Sequence, residues 1–176
     1  MFKVEQRNES FRRNPEFYLS LALIKKGLVP NLSEFLDPPT LETQPLVVLL
    51  DVISIDDVRI RLMGTGLVQL TGRELTKTNA LDIYAPESRK KVGQACVTMV
   101  KRPCGQMTER LVKTTSGLVV PASTVTLPVL CKSGQGCLAA FTQSRESIAA
   151  GNSMSVVRVI ISSEWIDIGA GFPSTA

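Results

Sequence analysis

Three strand-like runs after Pro103 constrain the fold of this chain most strongly. They are MTERLVKT (107–114), VVPASTVTLPVL (119–130) and CLAAFTQS (137–144), and their composition favours β-structure. Short stretches containing Ser and Gly separate the runs and predict turns. This spacing predicts a three-stranded antiparallel meander.

A hairpin is predicted earlier in the chain. LVVLLDVI (46–53) is a continuous apolar run, which is typical of a strand covered on both faces. In VRIRLM (58–63), Val58, Ile60 and Leu62 alternate with the other three residues. That alternation predicts a second strand with one apolar face.

Two longer helices are predicted, one on each side of the hairpin. Asn14 and Pro15 are a typical N-cap and first helical residue, and Pro86 and Glu87 lie near the start of a second helix within residues 81–103. The second helix carries an apolar stripe formed by Val92, Ala95, Cys96, Met99 and Val100. The first helix has a stripe that covers either the domain's own sheet or a second copy of the chain: Phe17, Leu21, Ile24 and Leu28.

The glycines of RLMGTGLVQLTGREL (61–75) raise the question of a phosphate-binding loop. A dinucleotide fingerprint requires a further glycine at position 69, where this chain has Gln69. A Walker loop requires Gly-Lys-Ser/Thr, but Gly72 is followed by Arg73 and Glu74. We therefore expect a turn over Gly64, Thr65 and Gly66, followed by one or two helical turns that contain Leu67, Val68 and Leu70 and end at Gly72.

The order of helix, hairpin, helices and meander indicates an α+β fold. We expect an N-terminal helix and connector at 1–45, the domain proper at 46–145, and a C-terminal extension at 146–176. Residues 156–169 of the extension have a pattern that fits either a strand or a helix.

Charge and composition exclude several functions. The net charge is +4 with scattered basic residues and only 5% aromatic residues, so we expect no nucleic-acid partner. No apolar run reaches the length of a membrane span and the N-terminus makes a poor secretory signal, so we expect a cytoplasmic protein without a membrane partner.

The chain has no histidine, which excludes histidine-based catalysis, imidazole metal ligands and a phosphorelay histidine within it. The cysteines Cys96, Cys104, Cys131 and Cys137 lack a Cys-x-x-Cys pair. We interpret them as buried or incidental thiols, with a redox pair of Cys131 and Cys137 across a turn as the alternative. No metal site is expected.

Three stretches together resemble a PAS-like family that is common in alphaproteobacteria. GLVPNLSEFLDP (27–38) followed by LVVLLDV (46–52) is similar to its lead-in. RIRLMGTGLVQLTGRELT (59–76) is similar to its most distinctive segment, and VTLPVLCKSGQGCLAAF (125–141) resembles its closing hairpin. The similarity spans roughly residues 15 to 145. The family's N-terminal helix usually carries a tryptophan, whereas the one tryptophan here is Trp165.

This resemblance implies a sensory or regulatory module with a five-stranded antiparallel sheet, flanking helices and an N-terminal helix. PAS domains serve several functions. Haem ligated by histidine is excluded, and the Asn-Cys-Arg-Phe-Leu motif of flavin photoreceptors does not occur in this sequence. We expect no cofactor.

A ligand, if there is one, is expected between the sheet and the helices that follow Gly72. Packing of an ordinary core is the alternative interpretation of the same residues. Polar groups near the site would include Arg61, although Arg59 and Arg61 are expected on the outer face of their strand. The candidate lining residues are Ile60, Leu62, Leu70, Ile83, Tyr84, Met99, Thr124, Val125, Thr126, Leu127 and Phe141.

Taken together, the sequence predicts a non-catalytic PAS-like module of bacterial signal transduction. We expect it to act through protein–protein contact, as a homodimer and with a signalling partner. The second hypothesis is a small-molecule sensor with an apolar pocket. The third is an enzyme that uses carboxylates such as Asp51, Asp56, Asp57 or Glu109, which we consider the weakest because acidic residues in turns are usually solvated.

Overall fold

The computed structural model describes residues 29–33, 44–131, 136–144, 154–171 and 173, with side chains of the last strand described from Val159 onward. The predicted helix with its stripe of Phe17, Leu21, Ile24 and Leu28 lies outside these residues, so its role remains a prediction.

The described residues form one antiparallel sheet, two α-helices and two 3₁₀ turns. The turns are Gln44–Leu46 and Ala80–Ile83. The helices are α1 (Thr65–Thr71) and α2 (Pro86–Lys101). Neither helix in the described part of the chain has the length and hydropathy needed to span a bilayer. The strands are β1 (Val47–Val52), β2 (Val58–Met63), β3 (Gly105–Thr114), β4 (Val119–Leu130), β5 (Gly136–Ser144) and β6 (Met154–Ile166).

The strands lie in the order β2-β1-β5-β4-β3-β6, and each pairs antiparallel with its neighbours. The hairpin, the meander and the α+β class predicted from the sequence are therefore confirmed. The sixth strand comes from the C-terminal extension, whose pattern fitted either a strand or a helix. It pairs with β3 from Gly105 with Ile166 to Thr114 with Met154, so the sheet has six strands rather than five.

Both faces of the sheet are covered by buried side chains, because successive residues of a strand point to opposite sides. On the inner face, which packs against α2, the buried residues include Leu50, Ile60 and Leu138 together with Met99 of α2. On the outer face they are Val47, Leu49, Val125, Val129, Leu127, Cys137, Ala139 and Phe141, with Cys131 and Ile168 packed among them. The two-sided burial expected for residues 46–53 is thus confirmed for β1.

A bulge interrupts the alternation predicted for β2. Leu49 of β1 pairs with Leu62, but the next residue, Leu50, pairs with Ile60, so Arg61 is an extra residue in the ladder. The prediction of one apolar face over Val58, Ile60 and Leu62 is therefore wrong beyond Ile60. Leu62 turns to the outer face and is 44% exposed, and Met63 turns inward instead.

The glycines within residues 61–75 position α1 close to the start of the sheet. A Cβ on Gly64 would lie 2.4 Å from the carbonyl oxygen of Pro45, so only glycine allows this close approach. Gly72 ends α1 in the left-handed conformation, with φ of 67°, as expected for a C-terminal glycine. The predicted short helix is confirmed, but it begins at Thr65, within the predicted turn. Pro86, predicted near the start of the second helix, is the first residue of α2.

Candidate functional site

A cavity of about 130 Å³ lies between the inner face of the sheet and the segment from α1 to Tyr84. The sheet supplies its floor, and α1 together with the turn Ala80–Ile83 supplies its opposite wall. Most of the wall is apolar, formed by Val48, Leu50, Ile60, Met63, Leu67, Leu70, Leu75, Ala80, Ile83, Val112 and Ala140.

Asn79 fixes the turn that carries Ile83 and Tyr84 to the cavity. Its side-chain oxygen accepts hydrogen bonds from the backbone N–H of Val58 and of Leu81, each at 3.1 Å. Its amide nitrogen donates to the carbonyl oxygen of Asp56 at 2.8 Å. One side chain therefore caps the 3₁₀ turn and ties it to the β1–β2 hairpin.

Arg110 is the central polar group of the cavity. It lies in the middle of β3, and only 7% of its surface is exposed. Its Nη1 donates to the hydroxyl of Tyr84 at 2.7 Å, and its Nη2 donates to Thr142 Oγ1 at 3.0 Å and to Thr124 Oγ1. The guanidinium also lies against the Tyr84 ring, with Cζ 5.9 Å from the ring centroid. Three hydroxyl groups from three elements therefore converge on one buried cation.

No carboxylate of the described residues contacts this cation. The ion pairs described here join Arg59 to Asp57, Arg61 to Asp51 and Arg89 to Asp82. The neighbouring Glu109 points to the other face of the sheet and accepts a hydrogen bond from Ser123 at 2.7 Å. Hydroxyl groups replace part of the lost hydration of Arg110, but they carry no compensating charge.

One donor of Arg110 is buried without any hydrogen-bond partner, namely Nε. A guanidinium has five N–H donors and remains charged at all ordinary pH values. Leaving a buried donor of a charged group unsatisfied costs roughly 1–3 kcal/mol or more. The site is therefore organised around the Arg110 side chain but leaves one of its hydrogen-bond donors without an acceptor.

A second and larger cavity, of about 640 Å³, adjoins Arg110 on the side nearer to α2. It lies between α2 and the part of the sheet formed by β3 and β6, and Trp165 lines it. Its wall is more polar than that of the first cavity and includes Lys91, Gln94, Gln106, Thr108 and Ser163. Arg110, Tyr84, Thr124 and Thr126 line both cavities, so Arg110 stands at the boundary between them.

The structure separates the candidate lining residues into groups. Leu62 lies on the outer face because of the bulge. Met99 lines the second cavity. Val125, Leu127 and Phe141 do not line either cavity, because they alternate with Thr124, Thr126 and Thr142 and belong to the outer-face core. Six of the candidates do line the first cavity: Ile60, Leu70, Ile83, Tyr84, Thr124 and Thr126.

Arg110 was missed by the sequence analysis, and so was Thr142. In the structure, Arg110 has the same parity as Val112 and Thr114, which are buried on the inner face together with it. The sequence of β3 gives no such signal, because polar and apolar residues occur at both parities. A charged residue between buried neighbours of one parity is uncommon unless it has a partner or a role.

On the outer face, Arg61 and Asp51 form an ion pair beside a disulfide. Arg61 Nη2 lies 2.6 Å from Asp51 Oδ1, and Arg61 Nε donates to Oδ2 at 3.0 Å. Cys131 and Cys137 are bonded across the end of the β4–β5 pair, with Cα atoms 6.2 Å apart. The interpretation of these two as incidental thiols is therefore wrong: antiparallel pairing of Val129 with Cys137 brings the two cysteines together.

Asp51, Cys131 and Cys137 place three metal-binding atoms within 4.8 Å of one another. Because the two sulfurs are joined to each other, neither is available as a thiolate ligand in this state. The other two cysteines are buried thiols. Burial raises the pKa of Cys96 to about 12 and also raises the pKa of Cys104.

The carboxylates considered for catalysis lie outside both cavities. Asp51 and Asp57 are held in ion pairs with Arg61 and Arg59, and Glu109 is bonded to Ser123. Asp56 lies in the β1–β2 turn, where its backbone N–H is bonded to the Ser54 hydroxyl. None of these four residues lines either of the two cavities described above.

The family model of the PAS domain matches residues 24–139. The chain belongs to the PAS domain family. The match includes β1 to β4, the two α-helices and the start of β5, so it contains most of the wall of the first cavity, and Ala140 and Thr142 lie just beyond its end. The comparison with curated proteins finds no match to this sequence.

Solved structures with a similar fold include three PAS or LOV domains. A fungal LOV domain photoreceptor is 18% identical, with a TM-score of 0.45 over 61% of this chain and 79% of that one. A PAS domain from Colwellia psychrerythraea is 14% identical, with a TM-score of 0.44 over 56% and 83%. The PAS domain of an HTR-like protein from Haloarcula marismortui is 13% identical, with a TM-score of 0.40 over 55% and 85%.

Proposed function

We propose that this PAS domain is a non-catalytic sensory module that binds a small molecule in the cavity beside Arg110. The observation that carries the proposal is the convergence of Arg110, Tyr84, Thr124 and Thr142 within an otherwise apolar wall. Apolar cavities with a few converging polar groups are the usual form of small-molecule sites.

The chemistry of the lining supports binding rather than catalysis. None of the described residues that line the first cavity is an aspartate, a glutamate or a cysteine, and the chain contains no histidine. The groups that most often act as general bases or nucleophiles are thus missing from its wall. We therefore propose a ligand that is bound and released unchanged.

We further propose that the module reports ligand binding through contact with a second copy or a signalling protein in the bacterial cytoplasm. Large apolar side chains are exposed on the described surface, including Val159 and Ile161 of β6 and Leu118 and Val119 at the β3–β4 turn. Exposed apolar groups favour protein contacts. Strand β6 pairs directly with β3, which carries Arg110, and so links this surface to the cavity.

Native mass spectrometry of the purified protein, before and after denaturation, tests this function. We expect an added mass that disappears on denaturation. Ala140→Leu, which fills the cavity, should abolish that mass, whereas Leu118→Ala at the exposed turn should retain it. A dimer without added mass would favour a module that works by contact alone. An identical added mass in wild type and Ala140→Leu would show that the ligand binds elsewhere.

A further inference from the structure

Arg110 is a buried cation without a described carboxylate partner, and this indicates the charge of the ligand that the cavity binds. Arg110 uses three of its five N–H donors on hydroxyl groups of Tyr84, Thr124 and Thr142. One buried donor, Nε, has no partner. Since an arginine cannot lose its proton in a protein, an anionic group is the partner that would best satisfy both its charge and its free donor.

The charges around Arg110 favour the same conclusion. The first cavity is also lined by Arg73, at its exposed rim, and the second by Lys91. Among the described residues that line either cavity, none carries a carboxylate. The charged groups of the lining are therefore all positive, which favours anions over cations as ligands.

We propose that the cavity binds a small organic monocarboxylate, whose carboxylate pairs with the guanidinium of Arg110 while its apolar body lies among the aliphatic side chains. This inference rests on the proposed function of the cavity and adds the chemical class of the ligand. The hydroxyl of Tyr84 accepts a bond from Arg110 and can donate its own hydrogen to the second carboxylate oxygen.

The size of the cavity limits the apolar body. An apolar cavity of about 150 Å³ is known to accept a benzene molecule, and the first cavity here measures about 130 Å³. The body is therefore no larger than a single ring or a short alkyl chain, and the second cavity leaves room for polar substituents beyond Arg110. An inorganic phosphate fits poorly, since it would leave the aliphatic wall without a partner and would find few donors there.

Isothermal titration calorimetry with charged probes and their neutral counterparts tests this inference. The probes are benzoate and hexanoate, each compared with its amide, which has nearly the same shape but no charge. A charged hydrogen bond to a buried guanidinium corresponds to a preference on the order of 30-fold. We expect each acid to bind wild-type protein about that much more tightly than its amide.

Two arginine-to-methionine variants provide the matched control. Arg110→Met should remove the preference for the acid while leaving the amides bound, because methionine keeps much of the apolar volume. Arg61→Met, on the outer face, should keep the wild-type preference. Arg110→Lys should retain part of it, since the charge remains but the planar fork of donors is lost.

The possible failures have different meanings. Equal binding of acids and amides to the wild type, or a preference that persists in Arg110→Met, would overturn the anionic ligand and leave the sensory cavity standing. Binding of none of the four probes at millimolar concentration, together with no added mass in native mass spectrometry, would overturn both this inference and the proposed function.

Discussion

Arg110 and Arg61 lie on opposite faces of the same sheet and differ in their burial and in the partners that the fold provides for their guanidinium groups. Arg61 is about one-third exposed and holds the Asp51 carboxylate with two contacts, at 2.6 and 3.0 Å. Arg110 is almost fully buried, has no described carboxylate partner and keeps one unbonded donor. The fold supplies a carboxylate partner for Arg61 on the outer face, whereas a ligand must supply the anion for Arg110 on the inner face.

The largest expected effect comes from replacing each arginine by methionine in the ligand-free protein. Arg110→Met removes a buried, uncompensated charge, so its free energy of unfolding should exceed that of the wild type by about 2 kcal/mol. Arg61→Met deprives Asp51 of its cation and should lower the free energy of unfolding by about 1 kcal/mol. We expect the two variants to differ by about 3 kcal/mol in urea-induced unfolding.

Equal destabilisation of Arg110→Met and Arg61→Met would contradict this contrast between the two arginines. Arg110 would then be a structural residue of the same kind as Arg61, and its hydrogen bonds to Tyr84, Thr124 and Thr142 would suffice to stabilise the folded state. Each variant should be purified through denaturation and refolding, so that a retained ligand cannot stabilise the wild type alone.

The next largest effect concerns the disulfide beside Arg61. Replacing both Cys131 and Cys137 by alanine should lower the free energy of unfolding by about 2 kcal/mol, the value expected for a loop of this length. The preference for acids over amides should not change, because the bond lies on the outer face. Urea unfolding and calorimetry measure the two results. If the oxidised wild-type protein is no more stable than its reduced form, the disulfide contributes nothing to the free energy of unfolding.

The smallest expected effect is a pH dependence on the cavity side of the sheet. The pKa of Cys96 is raised to about 12 by burial, above the value near 9 in an unfolded chain. Its contribution to stability is therefore present below pH 9 and is lost as the pH rises toward 12. Between pH 8 and 10 the wild type should lose about 1 kcal/mol more than Cys96→Ala.

Thermal unfolding of both proteins across that pH range checks the sign. Parallel curves would show that Cys96 ionises as easily in the folded state as in the unfolded state, and that α2 is not packed tightly against the sheet at this point. A thiol reagent offers a second readout, since the buried, protonated thiol should react slowly at pH 8 unless the protein unfolds.

The architecture could be predicted from the sequence where local patterns and tertiary packing agree. The apolar run of β1, the strands of the meander and the Pro86 start of α2 all followed from such patterns. The glycines within residues 61–75 were interpreted correctly as a strand-to-helix turn and a helix end, because a phosphate loop needs residues that this chain lacks.

The site was less predictable, because single-residue shifts decide which face a side chain occupies. The bulge at Arg61 moved Leu62 away from the cavity and turned Met63 toward it, and no residue pattern in β2 marks that bulge. The predicted lining residues on β4 included consecutive residues, which point to opposite faces of the sheet. Val125 and Leu127 therefore lie on the outer face, whereas Thr124 and Thr126 line the cavity. Arg110 was overlooked because its strand mixes polar and apolar residues at both parities.

The most direct test of the account is the side-chain NMR spectrum of Arg110. In a ¹H–¹⁵N spectrum of the arginine Nε–H groups, the Arg110 signal is assigned by its absence from Arg110→Met. If the account is right, benzoate shifts this signal strongly and leaves that of Arg61 unchanged, while benzamide causes a much smaller shift. An Arg110 signal that responds equally to benzoate and benzamide, or to neither when both bind, would contradict the claim that this arginine awaits an anion.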